Sequence, residues 1–279
     1  MIEIENIVKT YKGGKKAVNG ISEIVDNGVC TLIGRNGAGK TTLLRMLSTQ
    51  LLPTSGTARI DGLDIVKDAT KLRKILVSIP QEASPLGILT PYEQVNMYLL
   101  GRKFSIPDAR RAAESALETV GLWDVRNKPS DTLSGGMKRK MFVSLALASN
   151  ADMVFLDEPT TGLDPLSRLE VWSAIKKLTG NVLLTTHYME EAESLSKKVY
   201  LQDQGQIIDR GTVKKLLSRF AGKVRVESTT ELSNSFKVGG NFVKYDDIES
   251  SESYIRQGLT VKKITLDDLF IMRGVDLES

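Results

Sequence analysis

Gly34-Arg35-Asn36-Gly37-Ala38-Gly39-Lys40-Thr41 fits G-x-x-x-x-G-K-[ST], the pattern of a phosphate-binding loop. It follows the apolar run Val29-Cys30-Thr31-Leu32-Ile33, which reads as a strand. A helix is expected from Thr41 to Leu51, with Pro53 as its stop. Strand, glycine-rich loop and helix in this order suit a nucleoside triphosphate. Gly34, Gly37 and Gly39 let the backbone curl and aim its N–H groups at phosphates, and the helix adds its positive end. Arg35, Asn36, Ala38 and Thr42 complete the expected contact surface. Lys40 can reach the β- and γ-phosphates, and the Thr41 hydroxyl can ligate Mg²⁺. A dinucleotide-type G-x-G-x-x-G fails, because Thr42 stands where the third glycine would be.

The flanking chain alternates between strand and helix texture. Ile2–Val8 and Ile21–Val25 alternate around a Gly13-Gly14 turn, and Thr57–Ile60 precedes the turn signal Asp61-Gly62. From about Ser84 to Asn150 the pattern is helical. Ala109, Ala112, Ala113, Ala116, Leu117 and Val120 line one face, with Asp108 as candidate cap and Gly121 as stop. A further helix is expected from just after Gly136 to Ser149. Met153–Leu156, Val182–Thr186 and Val199–Gln202 are short apolar runs, typical of parallel strands buried on both faces. A helix over Pro165–Thr179 separates the first two, which implies right-handed crossovers.

Composition bounds the rest. Of 279 residues, 41% are hydrophobic and 26% charged, as in globular domains. No window reaches the ~18 uninterrupted apolar residues of a membrane span. Met1-Ile2-Glu3-Ile4-Glu5 reads as a strand, not a secretory signal, so a cytoplasmic location is expected. The one cysteine, Cys30, cannot form an internal disulfide and reads as a core residue. The net charge of +4 is spread over scattered pairs, and the only basic triplet is Lys138-Arg139-Lys140, so no nucleic-acid partner is expected.

Two further segments narrow the class. Leu133-Ser134-Gly135-Gly136 puts small residues and a hydroxyl at a helix start, which again suits an anion. Met153-Val154-Phe155-Leu156-Asp157-Glu158 carries two carboxylates at a strand end, where a parallel sheet meets its ligands, and Asp157 there can hold Mg²⁺ through water. Together with the phosphate loop and the run Pro159-Thr160-Thr161-Gly162-Leu163-Asp164, these segments resemble the ATP-binding cassette (ABC) ATPases over roughly residues 1–220.

That resemblance implies an α/β fold: a P-loop NTPase (RecA-like) core with an antiparallel β subdomain and an inserted α-helical subdomain over about 84–150. The ATPase domain would cover 1–222, and a small C-terminal α+β module 223–279. ATP and Mg²⁺ are the implied cofactors. Glu158 would be the general base, His187 the switch histidine on the γ-phosphate, and Gln81 the sensor of Mg²⁺ and water. Tyr11 would stack on adenine. Ser134, Gly135 and Gly136 would meet ATP held by a second chain, and Asp164 would be a further nucleotide contact. The family usually has glutamine where this sequence has Met137. The implied partners are a second cassette, as homodimer or heterodimer, and a multi-span membrane subunit in a separate chain. The protein would then sit peripherally at the cytoplasmic face of the cell membrane. Thr186-His187-Tyr188-Met189-Glu190-Glu191-Ala192-Glu193 and Leu266–Phe270 look like the drug- and ion-exporting subgroup. A soluble cassette acting in translation or DNA repair is the rival reading; such proteins usually carry two cassettes or a long coiled-coil insertion, and this sequence has neither. For the C-terminal module, regulation and dimer support are both compatible.

Overall fold

The computed structural model describes residues 1–272, so residues 273–279 of the expected C-terminal module lie outside the described residues. In chain order, β1 (Ile2–Thr10) and β2 (Lys16–Val25) precede β3 (Val29–Ile33), which leads into α1 (Lys40–Leu47). Then follow β4 (Ser55–Ile60), β5 (Leu63–Asp64), α2 (Ala69–Ile75) and β6 (Leu76–Ile79). Three helices come next: α3 (Pro91–Gly101), α4 (Ile106–Thr119) and α5 (Gly135–Ser149). After these come β7 (Met153–Asp157), α6 (Pro165–Ile175), β8 (Asn181–Thr186), α7 (Met189–Leu195), β9 (Lys198–Asp203) and β10 (Gln206–Gly211).

The larger compact unit runs from Met1 to Asp209. Its main sheet has the order β10-β9-β3-β8-β7-β6, and the pairs among β9, β3, β8, β7 and β6 are parallel. A second, antiparallel sheet has the order β2-β1-β4-β5. The parallel strands are buried on both faces, and alternate residues enter different cores. Met153, Phe155 and Leu183 join Ile2, Ile4 and Leu43 in one cluster. Val154, Leu156, Val182 and Leu184 join Leu117, Met141 and Val171 of the helices in the other. The unbroken apolar runs of the sequence are therefore two interleaved period-2 patterns.

Four local readings change. Helix α1 stops at Leu47, well before Pro53: Thr49 turns left-handed at φ 62°, and Arg73 of α2 binds the Thr49 hydroxyl and carbonyl. Helix α6 ends at Ile175, short of Thr179. Helix α4 starts earlier than expected, and its cap is Ser105, whose hydroxyl accepts from the Asp108 N–H at 3.3 Å. Asp108 instead sits in the first turn, where its charge favours the helix N-terminus. Helix α2 forms where the sequence has no clear apolar period; Leu72 is its only buried residue. The Asp61-Gly62 turn is left-handed at both positions, at φ 47° and 80°, as a two-residue hairpin requires.

The second unit begins at Arg210, earlier than the composition change near Phe220. It contains α8 (Val213–Leu217), β11 (Lys223–Ser228), β12 (Phe236–Val238), β13 (Asn241–Asp247), α9 (Ser251–Arg256), β14 (Thr260–Lys262) and α10 (Asp267–Met272). The strands form an antiparallel sheet in the order β12-β13-β11-β14. Asp268, fully buried, accepts from Arg225 Nη1 at 3.0 Å and from the Tyr245 hydroxyl at 2.8 Å.

Phe155 is fully buried at the centre of β7. Phe155→Ala is expected to cost about 3–5 kcal/mol of stability. Urea denaturation followed by circular dichroism checks this.

Candidate nucleotide-binding site

The parallel register sets the site. Ile33 pairs with Thr186 and Asp157 with Thr185, so the segments after β3, β7 and β8 emerge at one sheet edge. A cavity of about 570 Å³ opens there. Asn36, Gly37, Gly39, Lys40, Thr41 and Thr42 line it from the loop side. Tyr11, Gln81, Glu158 and His187 line it from elsewhere. Gly34, Arg35 and Ala38 belong to the loop but not to the lining, and Ala38 is buried. Gly39 has φ 100°, and a Cβ there would come within 2.0 Å of the Ala17 carbonyl oxygen, so only glycine fits.

One carboxylate gathers the polar groups. Glu158 Oε2 accepts from Thr161 Oγ1 at 2.9 Å and from Gln81 Nε2 at 3.3 Å, and lies 3.1 Å from His187 Nδ1. Its other oxygen is 3.6 Å from Lys40 Nζ. Lys40 Nζ also donates to the Gly34 and Arg35 carbonyls at 2.8 and 3.1 Å. Burial pushes the Lys40 ammonium below its ordinary pKa, and the Glu158 and Asp157 charges oppose that shift. Glu158 itself holds a left-handed backbone at φ 46°. Strain of that kind in a non-glycine residue concentrates at functional positions. Its N–H donates to the Thr185 hydroxyl at 3.0 Å, which helps hold the turn.

Asp157 lies beneath Glu158 and is 1% exposed. Its Oδ1 accepts from Thr41 Oγ1 at 2.9 Å and from Thr185 Oγ1 at 2.6 Å, while buried Oδ2 has no partner among the described residues. Burial pushes its carboxyl up, against the hydrogen bonds from Thr185 and Thr41. An orphaned buried oxygen beside a threonine hydroxyl fits a hydrated divalent cation. The Tyr11 ring is 43% exposed, and its hydroxyl is 3.3 Å from Thr42 Oγ1.

Other residues singled out from the sequence stand apart from this cavity. Ser134 caps α5, its hydroxyl accepting from the Met137 N–H at 3.2 Å. A Cβ on Gly136 would meet the Ser167 hydroxyl at 2.6 Å, so this glycine lets α5 and α6 approach. Gly135 is exposed, and Met137 packs against the helical apolar cluster. Asp164 is exposed and caps α6 by accepting from the Ser167 N–H at 3.0 Å.

Several contributors escaped the sequence reading. Thr161 and Thr185 are part of ordinary Thr-Thr pairs with no distinguishing pattern. Glu191 is fully buried on α7, and its Oε1 accepts from Thr160 Oγ1 at 2.8 Å and Trp172 Nε1 at 2.9 Å. It ties the segment after Glu158 to the segment after His187. A two-glutamate helix start gives no hint which one faces inward.

Residues 19–161 match the ABC transporter family. The chain is 39% identical over 229 residues to the daunorubicin/doxorubicin resistance ATP-binding protein DrrA of Streptomyces peucetius, covering 80% of this chain and 68% of that protein. It is 36% identical over 288 residues to ABC transporter A family member 10 of Arabidopsis thaliana, covering 97% of this chain but only 31% of that protein. Thus it spans about a third of that longer relative. Among solved structures, the ATP-binding cassette MJ0796, seen as a dimer bound to ADP and Pi after hydrolysis, superimposes with a TM-score of 0.68 at 25% identity, over 76% of this chain and 98% of that one. The cbiO1 protein of Clostridium perfringens, part of the ABC transporter complex cbiONQ, gives 0.69 at 25% identity, over 78% and 90%. This chain belongs to the ABC transporter family and is one of its ATP-binding cassettes, an ATPase related to the DrrA drug-resistance proteins.

Burial pushes the Glu191 carboxyl above the ordinary carboxylate range, against hydrogen bonds from Thr186, Thr160 and Trp172. A raised carboxyl means that the folded state holds its proton longer than the unfolded state. Stability from this group is therefore full below its unfolded pKa of about 4.3 and declines as pH rises through the folded value. Glu191→Gln keeps an acceptor and cannot ionise. Its melting temperature relative to wild type is expected to improve steadily as pH is raised from about 4 to 7. Thermal melts across that range check it, and a pH-independent difference would contradict the assignment.

Proposed function

We propose that this cassette binds ATP with Mg²⁺ in the cavity, hydrolyses it at the seam of a cassette pair, and thereby drives a multi-span membrane subunit in a separate chain as part of an exporter. The observation that carries the chemistry is the convergence of Lys40, Gln81 and His187 on Glu158. The loop N–H groups and Lys40 would hold the phosphates, and Tyr11 would stack on adenine. Thr41 and, through water, Asp157 and Gln81 would hold Mg²⁺, which when bound neutralises charge on the β- and γ-phosphates. The Glu158 carboxylate would take the proton of the attacking water. His187, beside the same oxygen, would hold that water in line, and Lys40 would offset charge on the γ-phosphate.

The pairing reading is supported by the position of Ser134, Gly135, Gly136 and Asp164 outside the cavity lining. Head-to-tail pairing would bring these groups of one cassette over ATP held by another. Two-fold symmetry makes such a contact isologous, which suits a homodimer, and a related cassette can replace one copy. The dimeric state of MJ0796 supports this.

Transport is supported by the drug-resistance relative and by the transporter complex that contains cbiO1. Among the described residues, no helix is long and apolar enough to cross a membrane, so this reading needs a spanning partner or segment. A groove of about 600 Å³ on the β6 side, lined by Thr49, Arg73, Ser78, Met97, Tyr98 and Arg102, would be the seat of that partner. Attachment there would make the cassette peripheral at the cytoplasmic face.

Glu158→Gln is expected to lower ATP hydrolysis by about 10²-fold or more while ATP still binds. Phosphate release and equilibrium nucleotide binding check this, and normal turnover would refute the general-base role. In sedimentation, the same variant with ATP and Mg²⁺ should run as a dimer; a monomer would refute the paired seam.

A further inference from the structure

The basic triplet of the sequence divides into three different environments. Lys138 donates to the Asp131 carbonyl at 3.1 Å, and Lys140 pairs with Glu170 at 2.9 Å. Arg139 has no carboxylate partner among the described residues. Its Nη2 donates to the backbone carbonyl of Gln81 at 2.6 Å, and its Nη1 is buried with no partner. A half-buried guanidinium with an enclosed, unmet donor is a poor device for stability, because its desolvation is not repaid by an ion pair. Burial lowers its pKa accordingly, and nearby Glu82 only opposes the shift.

What Arg139 holds is informative. The next residue, Glu82, pairs at the surface with Arg45 Nη2, at 3.2 and 3.0 Å to its two carboxylate oxygens. Arg45 belongs to α1, which starts at Lys40, and Arg139 belongs to α5, which starts just after Ser134. The peptide of Gln81 and Glu82 is thus suspended between the two helices that begin at the two anion-facing segments. From this peptide the Gln81 side chain reaches Glu158.

We propose that Arg139 is a positioning residue for hydrolysis: by holding the Gln81 carbonyl it sets the Gln81 amide against Glu158, so that the site responds to where α5 and its Ser134 end stand. This rests on the reading of Glu158 as general base. The two cations have different tasks. Arg45 pairs with the loop from α1, while Arg139 links α5 to it through the Gln81 main chain.

A double-mutant cycle tests it in the full-length protein. Arg139→Met should melt no lower than wild type, because a half-buried, under-partnered charge is replaced by an apolar side chain of similar length. Its kcat should nevertheless fall about tenfold with KM for ATP within about twofold. If Arg139 acts through Gln81, then Arg139→Met should lower kcat by no more than about twofold in a Gln81→Ala background. A loss of the same factor in both backgrounds, or wild-type kcat in Arg139→Met, overturns the proposal. Should the methionine variant fail to fold, Arg139→Lys carries the same cycle with the cation retained and the planar fork removed. Glu158→Gln is measured alongside. Its normal turnover would remove the general-base reading and this proposal with it, whereas its inactivity together with multiplicative losses would remove the proposal alone.

Discussion

Three neighbouring parallel strands govern this molecule. Because β3, β8 and β7 run the same way and in register, the segments that leave them emerge side by side. The phosphate loop, His187 and the Asp157-Glu158 pair are far apart in sequence and adjacent only at this edge. Parallel strands need crossover helices. Those helices bury both faces of the sheet, which is why its strands are continuous apolar runs. The exposed carboxyl edge is then the one place on these strands where polar groups can meet a ligand.

That edge concentrates groups that burial disfavours. Lys40, Asp157 and Glu158 are each less than 10% exposed. They survive because each is answered: Lys40 by two loop carbonyls and Glu158, Asp157 by two threonine hydroxyls, Glu158 by Thr161, Gln81 and Lys40. The exception is Asp157 Oδ2, which has no partner among the described residues. Burial and strain at Glu158 together hold a carboxylate where a flexible surface residue could not be held. Networks of this sort lose much when one member is removed, since the others remain buried.

The division between local and distant information is visible element by element. Capping and turn chemistry were readable where neighbouring residues decide them, as at Gly121 or Asp61-Gly62. The end of α1 was not, because Arg73 of another helix captures Thr49. Nor was the capping role of Ser105, whose hydroxyl competes with Asp108 three residues on. In the site, the glycine-rich loop and the paired acids at a strand end carry spacing that chance seldom produces. Thr185, Glu191 and Arg139 carry none, since each is a common residue that gains meaning from a partner on another element.

By itself, the sequence determined the alternation of strand and helix, the phosphate-loop chemistry and the family, because these depend on periodicity and on residues a few positions apart. Only the tertiary structure decided which acceptors and donors meet. It put Gln81, His187 and Lys40 on one carboxylate, buried Glu191 rather than its neighbour, and hung the Gln81 peptide between Arg139 and the Arg45–Glu82 pair. The physical reason is that a hydrogen bond or a buried charge is set by separation in space, and strand register and helix packing bring together residues that the linear order keeps apart.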